Sequence, residues 1–291
     1  MPSKADLSGT TLPRRQLGRA LRDARHARGS TLDQVAGETE FSRATLSRIE
    51  LGQYERLKVR EVEYLSRYYG LPDGRTEYLM TLASELNTKV WWQDYQNFVR
   101  DGFSTYLELE SYATEFRLFQ PLVVPGLLQT AEYARAVFSA YKLDHPPSEI
   151  DNQVELRVQR HTRLLRRRWK VQLECLLHES VLHTVVGSKR IMAAQCRFIA
   201  DLSTREDVAV RVVPFTAGLP TGGVVPPFNI LDFPDSEPTV VYAEGAIGSI
   251  TFEDTDDVQR FRELYESFRN AALGEQESRD RIRKIARRHD Q

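Results

Sequence analysis

Three apolar stripes at helical spacing, separated by residues that cap and stop helices, occupy residues 17–52 and constrain this chain more than any other feature. Leu17, Ala20, Leu21 and Ala24 line one face of a first helix, with Arg14, Arg15, Arg19, Arg22, Arg25 and Arg28 on its other faces. Gly29 is placed to end it, because the residue after a helix often needs positive φ. Thr31-Leu32-Asp33-Gln34 has the form of a capping box, the Thr31 hydroxyl accepting from the Gln34 amide while the Gln34 side chain reaches back. Leu32, Val35 and Ala36 give the second helix its apolar face. Ser42 suits the N-cap of a third helix holding Ala44, Thr45, Leu46, Ile49 and Leu51 until Gly52 closes it. In that helix Leu46 and Ile49 point inward and leave Arg43, Ala44, Ser47 and Arg48 outside. Two short helices joined by a tight turn, with small Ala36 where they cross, form a helix-turn-helix whose later helix is shaped to enter a DNA major groove.

A helix in that groove presents its N-terminal residues to base edges. Arg43 and Arg48 suit bidentate contacts to guanine, each worth roughly 1–3 kcal/mol of discrimination. Ala44 and the Thr45 methyl suit a thymine methyl, and Ser47 shares their face. Gln34, Ser42, Gln53, Tyr54, Arg56 and Lys58 flank the groove and suit phosphates, which position a protein without reading sequence. The charge distribution agrees. Residues 1–60 carry 12 Lys+Arg against 7 Asp+Glu and the rest carry 28 against 34, so a net charge of −1 hides a basic end on an acidic body. The plainer reading of the same residues is a small helical domain with a solvated, arginine-rich face.

The stretch LGRALRDARHARGSTLDQVAGETEFSRATLSRIELGQYERLKVREVEYLSRYYGL, from Leu17 to Leu71, resembles the phage-repressor-like (XRE, xenobiotic response element) family of helix-turn-helix regulators. The likeness rests on Thr31, Ala36, the LSRIELG segment, and Val62, Leu65, Tyr69 and Leu71 beyond it. It implies sequence-specific binding of double-stranded DNA, normally by a homodimer on a palindrome. Glu40 departs from the pattern, standing where the family usually has Gly in the turn.

The expected layout is a flexible terminus at 1–13, an all-α DNA-binding domain at 14–87, a joint at 87–89, and an α+β domain at 90–291 for sensing, dimerisation or partner binding. In the second domain, helices are expected at 103–114, 127–140, 149–168, 188–203, 256–272 and 278–289. Strands are expected at 171–177, 208–215, 228–233, 239–243 and 249–252. Their close spacing late in the chain predicts a mainly antiparallel sheet. The segments PLVVPGLLQTAEYARAVF, ELRVQRHTRLL, HESVLHTVVGS, VRVVPFTAG, FNILDF and VVYAEG resemble the C-terminal domain of a class of actinobacterial helix-turn-helix regulators. The resemblance implies antitoxin-like or developmental regulators, whose genes often neighbour one for a small acidic partner protein. It implies no chemistry for the domain, and His161 stands where the class more often has Gln.

No nucleotide-binding, nucleophile-elbow or zinc-protease motif occurs, so neither an enzyme nor a cofactor is expected. Gly218–Gly223 is glycine-rich but precedes no helix, which suits a hairpin better than a phosphate cradle. His178 and His183 are five apart and need not share a face, so no metal site is expected, and Cys175 alternates with Leu173 and Leu177 as a core thiol would. Seven Lys+Arg between Arg157 and Lys170 read as a solvated helix face or a second anionic contact. Arg157 and Arg160 lie three apart on one face and need acidic partners if buried, for which Glu110, Glu115, Glu179 and Glu244 are available. Such a polar cluster is a ligand site or an internal brace. No apolar run approaches the ~20 residues that span a bilayer, and the start has no apolar signal region, so a cytoplasmic protein is expected.

Overall fold

A computed structural model describes residues 12–54, 57–87, 95, 103–141, 147–165, 171–234, 237–245 and 248–291. The chain divides into two compact units, Met1–Asp94 and Tyr95–Gln291. Residues 1–11 of the expected terminus, and 88–89 of the expected joint, lie outside the described residues.

In the first unit the described helices are α1 (Leu12–Ala27), α2 (Leu32–Glu38), α3 (Arg43–Glu50), α4 (Val59–Tyr68) and α5 (Asp73–Asn87). Leu17 and Leu21 of α1, Val35 of α2, Leu46 and Ile49 of α3, and Val62 and Leu65 of α4 are all buried. The Thr31 capping box forms as expected, with Gln34 N donating to Thr31 Oγ1 at 3.2 Å and Thr31 N to Gln34 Oε1 at 2.8 Å. Ser42 Oγ caps α3 by accepting from Thr45 N at 3.1 Å. Between them, Thr39 leaves α2 in extended backbone at φ −131°. Its hydroxyl donates to Val35 O at 2.7 Å and accepts from Phe41 N at 3.3 Å, so a side chain braces the turn.

Two expectations for this unit are corrected. Leu51 follows α3 as its C-cap and is 46% exposed, outside the core. Arg25 is not on an outer face: it is 7% exposed, and its Nε and NH2 donate to the two carboxylate oxygens of Glu50 at 2.6 and 2.8 Å. Arg22 NH2 adds a bond to Glu50 O at 2.7 Å, so α1 grips the last turn of α3. Close helix approach is enforced at a position the apolar pattern does not mark. A Cβ on Gly18 would lie 2.4 Å from the Ile49 carbonyl oxygen, whereas Ala36 is half-buried.

The second unit opens with α6 (Phe103–Tyr112), β1 (Glu115–Gln120), α7 (Ala131–Tyr141) and α8 (Pro147–Leu165). It continues through β2 (Gln172–His178), α9 (Glu179–His183), α10 (Lys189–Leu202) and β3 (Val208–Val213). It closes with β4 (Phe228–Asp232), β5 (Val240–Gly245), β6 (Gly248–Phe252), α11 (Thr255–Ala271) and α12 (Glu275–His289). The six strands run in the order β3-β2-β1-β4-β5-β6. This sheet is mixed. Antiparallel pairings hold the majority on the β4, β5 and β6 side, while β1–β2 and β2–β3 are parallel. Parallel neighbours need a long crossover, which α7 with α8, and α9 with α10, provide. The unexpected central strand is β1, which follows α6 after a two-residue break.

Alternation along the strands gives the sheet two different faces. Phe119, Phe228, Ile230 and Val241 pack with Val258, Tyr265 and Phe268 of α11. Tyr242, on the other face, meets Tyr106 of α6 with ring centroids 4.5 Å apart. Among the described residues no helix is long and apolar enough to cross a membrane.

Gly18 and Gly37 separate two opposing effects of the same change. Glycine to alanine inside an open helix gains up to about 1 kcal/mol, but overpacking costs about 1–3 kcal/mol. Gly18→Ala should therefore lower the melting temperature, and Gly37→Ala, with nothing within 4 Å of the added carbon, should raise it. Thermal melts of both variants check this, and a rise for Gly18→Ala would show that α1 does not press on α3.

Candidate functional site

All five residues expected to read bases lie on α3, and none of them is buried. Arg43, Ala44 and Arg48 are exposed and Ser47 is half-exposed. Thr45 is partly turned in, and its hydroxyl lies 2.9 Å from Ser42 Oγ. Arg43 is not free: its Nε stands 3.0 Å from Asp33 Oδ1 on α2, and both side chains are well exposed. Arg48 lines a shallow groove with Thr45, Gln53 and Leu57.

Among the residues expected at phosphates, Gln34, Ser42, Gln53 and Lys58 are exposed around this face. Gln34 spends its carbonyl oxygen on the Thr31 amide, which leaves its NH2 group to donate outward. Lys58 Nζ is 3.9 Å from Glu61 Oε1, a loose surface pair. Tyr54 is a correction. Its hydroxyl is buried under Arg14, whose guanidinium carbon sits 5.7 Å from the ring centroid, and burial pushes the phenol pKa up. Arg56 lies outside the described residues.

In the second unit, the acids expected beside Arg157 and Arg160 separate. Arg160 Nε and NH2 donate to Glu110 Oε1 and Oε2 at 2.9 and 2.6 Å, with both side chains buried. Burial alone would lower the Arg160 pKa, but the Glu110 charge and hydrogen bonds raise it instead. Arg157, nearly one turn earlier on α8, donates from NH1 to Gln129 Oε1 at 3.2 Å and lies 4.9 Å from the Phe138 centroid. Burial, then the like charge of Arg160, lower its pKa to about 10. Glu244 lines the same cavity and attracts Arg157 through space.

Glu115 and Glu179 do not join this cluster. Strand alternation puts Glu115 on the α11 face of β1, opposite Leu118 and Gln120, where it accepts from Arg117 NH2 at 2.7 Å. Glu179 opens α9, accepting from Phe215 N at 3.0 Å and from Arg281 NH1 at 2.7 Å. Its burial would raise the pKa, but these two donors and the nearby charges hold it below the ordinary carboxylate range.

Sequence reasoning missed Gln129, Gly126 and Phe138, which surround Arg157 within the 121–138 segment. That segment is pinned by polar side chains. Gln195 Nε2 donates to Leu128 O at 2.6 Å, and Thr130 N donates to Gln195 Oε1 at 2.8 Å. His161 Nδ1–H donates to Leu127 O at 2.7 Å, a bond that a Gln side-chain amide is equally equipped to make. Both thiols are buried, and burial raises Cys196 to about 12 and Cys175 higher still. His178 Nδ1 is engaged in capping α9, accepting from Ser180 N at 3.3 Å.

Residues 16–79 match a helix-turn-helix domain. Residues 103–284 match a domain of unknown function, DUF5753, over more than half of the chain. The chain belongs to the DUF5753 family. No curated protein and no solved structure matches it. The helix-turn-helix match marks the first unit as DNA-binding. The DUF5753 domain contains the whole sheet, the Arg160–Glu110 pair and the cavity beside Arg157.

Removing one partner of a buried ion pair leaves an uncompensated charge and costs about 3–5 kcal/mol, whereas replacing both by apolar residues is often nearly neutral. Glu110→Ala should therefore destabilise the DUF5753 domain by about that amount. Glu110→Leu combined with Arg160→Met should recover most of the loss. Urea unfolding of the full chain followed by circular dichroism tests this, and a double variant as unstable as the single would reject the pairing argument.

Proposed function

We propose that the protein is a transcription regulator that reads double-stranded DNA with α3 and is governed through its DUF5753 domain. One observation carries this reading: the exposed face of α3 holds two arginines on a helix whose inner face is packed and whose last turn is clamped by Arg25. Arg48 and Arg43 supply bidentate guanine contacts, with Ala44, the Thr45 methyl and Ser47 completing the readout. Gln34, Ser42, Gln53 and Lys58 hold phosphates and set the register. Both resemblances, to phage-repressor-like regulators and to the actinobacterial class, support the same role.

Arg43 must leave Asp33 to reach a base. The exposed pair is worth about 0–1 kcal/mol and a bidentate guanine contact about 1–3 kcal/mol, so the exchange favours the correct base. At any other base Arg43 does better to stay on Asp33, which sharpens selectivity. In a homodimer two α3 helices about 34 Å apart match successive major grooves on a palindrome. A signal received by the DUF5753 domain then acts by favouring one dimer geometry over another.

The test is binding of the full chain to the DNA upstream of its own gene and to random DNA, at two salt concentrations. A preference above about 10³ that persists at physiological salt is expected. Arg48→Ala should cost about 1–3 kcal/mol on the specific site only. Lys58→Ala should weaken all sequences alike and lower the salt slope by about one. Unchanged selectivity in Arg43→Ala and Arg48→Ala would remove α3 as the reader. Asp33→Asn, which frees Arg43 and removes a negative charge beside the groove, should tighten binding to both DNAs and narrow the gap between them. Fluorescence anisotropy shows this directly, and weaker binding to both would mean that Asp33 instead holds α3 in place.

A further inference from the structure

The cavity in the DUF5753 domain contains a cation that no carboxylate contacts among the described residues. Arg160 and Glu110 close on each other and match in charge. Arg157 instead donates one hydrogen bond to a neutral acceptor, Gln129 Oε1, and rests against Phe138. No carboxylate stands within 4 Å of its guanidinium among the described residues. A guanidinium carries five N–H donors, and among the described residues Gln129 is the acceptor that this one reaches.

Arg157 is half-buried, and burial and the neighbouring Arg160 lower its pKa to about 10, so its charge is less favoured here than in open water. Yet the surroundings are built to seat a guanidinium. A Cβ on Gly126 would stand 2.2 Å from Arg157 NH1, so glycine leaves the space that the group fills. Gln129, which orients NH1, is itself fixed by donating to Val124 O at 2.7 Å. A costly charge held in place by a fitted seat is the arrangement expected of a group kept for a ligand.

The remaining walls define that ligand. Leu118, Val137, Phe138 and Tyr242 present apolar and aromatic surface, while Gln120 and Asn229 bond each other at 3.2 Å across the sheet floor. The cavity measures about 220 Å³, more than the ~150 Å³ that admits benzene and less than pockets for drug-sized molecules. One ring or a short chain with a compact head group fits. One cation with no contacting carboxylate among the described residues, with Glu244 on the same wall, favours a single negative charge over a polyphosphate. We propose that this cavity binds a small organic monoanion, a carboxylate with an aromatic or short aliphatic body, and that Arg157 anchors its carboxylate.

The proposal stands without the DNA reading and is tested without DNA. Benzoate, phenylacetate, 3-phenylpropionate and octanoate, each beside its own amide, are titrated into the full-length protein by calorimetry. At least one acid should bind about tenfold or more tightly than its amide, the yield of a charge-assisted hydrogen bond. Arg157→Met should abolish that preference and melt no lower than wild type, since it orphans no buried charge. Gly126→Ala, which keeps the charge but displaces the guanidinium, should lose the preference too and decides the matter if Arg157→Met fails to fold. Equal binding of acid and amide, no binding of any of the four acids at millimolar concentration, or a preference intact in the variants would overturn the proposal.

Discussion

A buried arginine closed on a glutamate fixes the working part of each unit. Arg25 on Glu50 locks the last turn of α3 against α1, and Arg160 on Glu110 locks α8 against α6. Such pairs stabilise no more than well-packed apolar residues would, because both charges must leave water. What they impose is geometry, since a two-pronged hydrogen bond accepts only one relative placement of its helices. In the first unit that placement keeps the far side of α3 in solvent. In the second it neutralises one of two neighbouring arginines and leaves Arg157 with no contacting carboxylate among the described residues.

Around each pair the chain has removed bulk rather than added it. Gly18 admits the Ile49 carbonyl of α3, and Gly126 admits the Arg157 guanidinium. In each case the absent side chain lets a charged or hydrogen-bonding group come closer than packing would otherwise allow. The exposed Arg43–Asp33 pair is of another kind. It is weak because water screens it, and a weak contact is what a residue that must exchange partners requires.

Much of the first unit was legible in its residues. Thr31, Gln34 and Ser42 act within one helical turn, so their capping roles follow from spacing alone, and Leu46 and Ile49 point inward by the helical period. Arg25 does not follow its polarity to the surface, and nothing near it in sequence announces Glu50. Tyr54 departs likewise, its polar tip buried and its ring under Arg14. In the second unit the late strands were legible, whereas β1 was not, since it follows a helix almost directly. Missing it also hid the parallel half of the sheet and the face on which Glu115 lies.

What the sequence by itself determined is the set of local features: the helices, their caps and the outward face of α3. These depend on groups three or four residues apart, whose geometry the helix itself dictates. Tertiary structure alone decided which charges meet. Arg25 finds Glu50 across 25 residues, Arg160 finds Glu110 across 50, and Arg281 takes Glu179 across 102. The physical reason is that a buried charge is costly wherever it lies in the chain, yet only the packed arrangement of helices and sheet determines which opposite charge is close enough to relieve it.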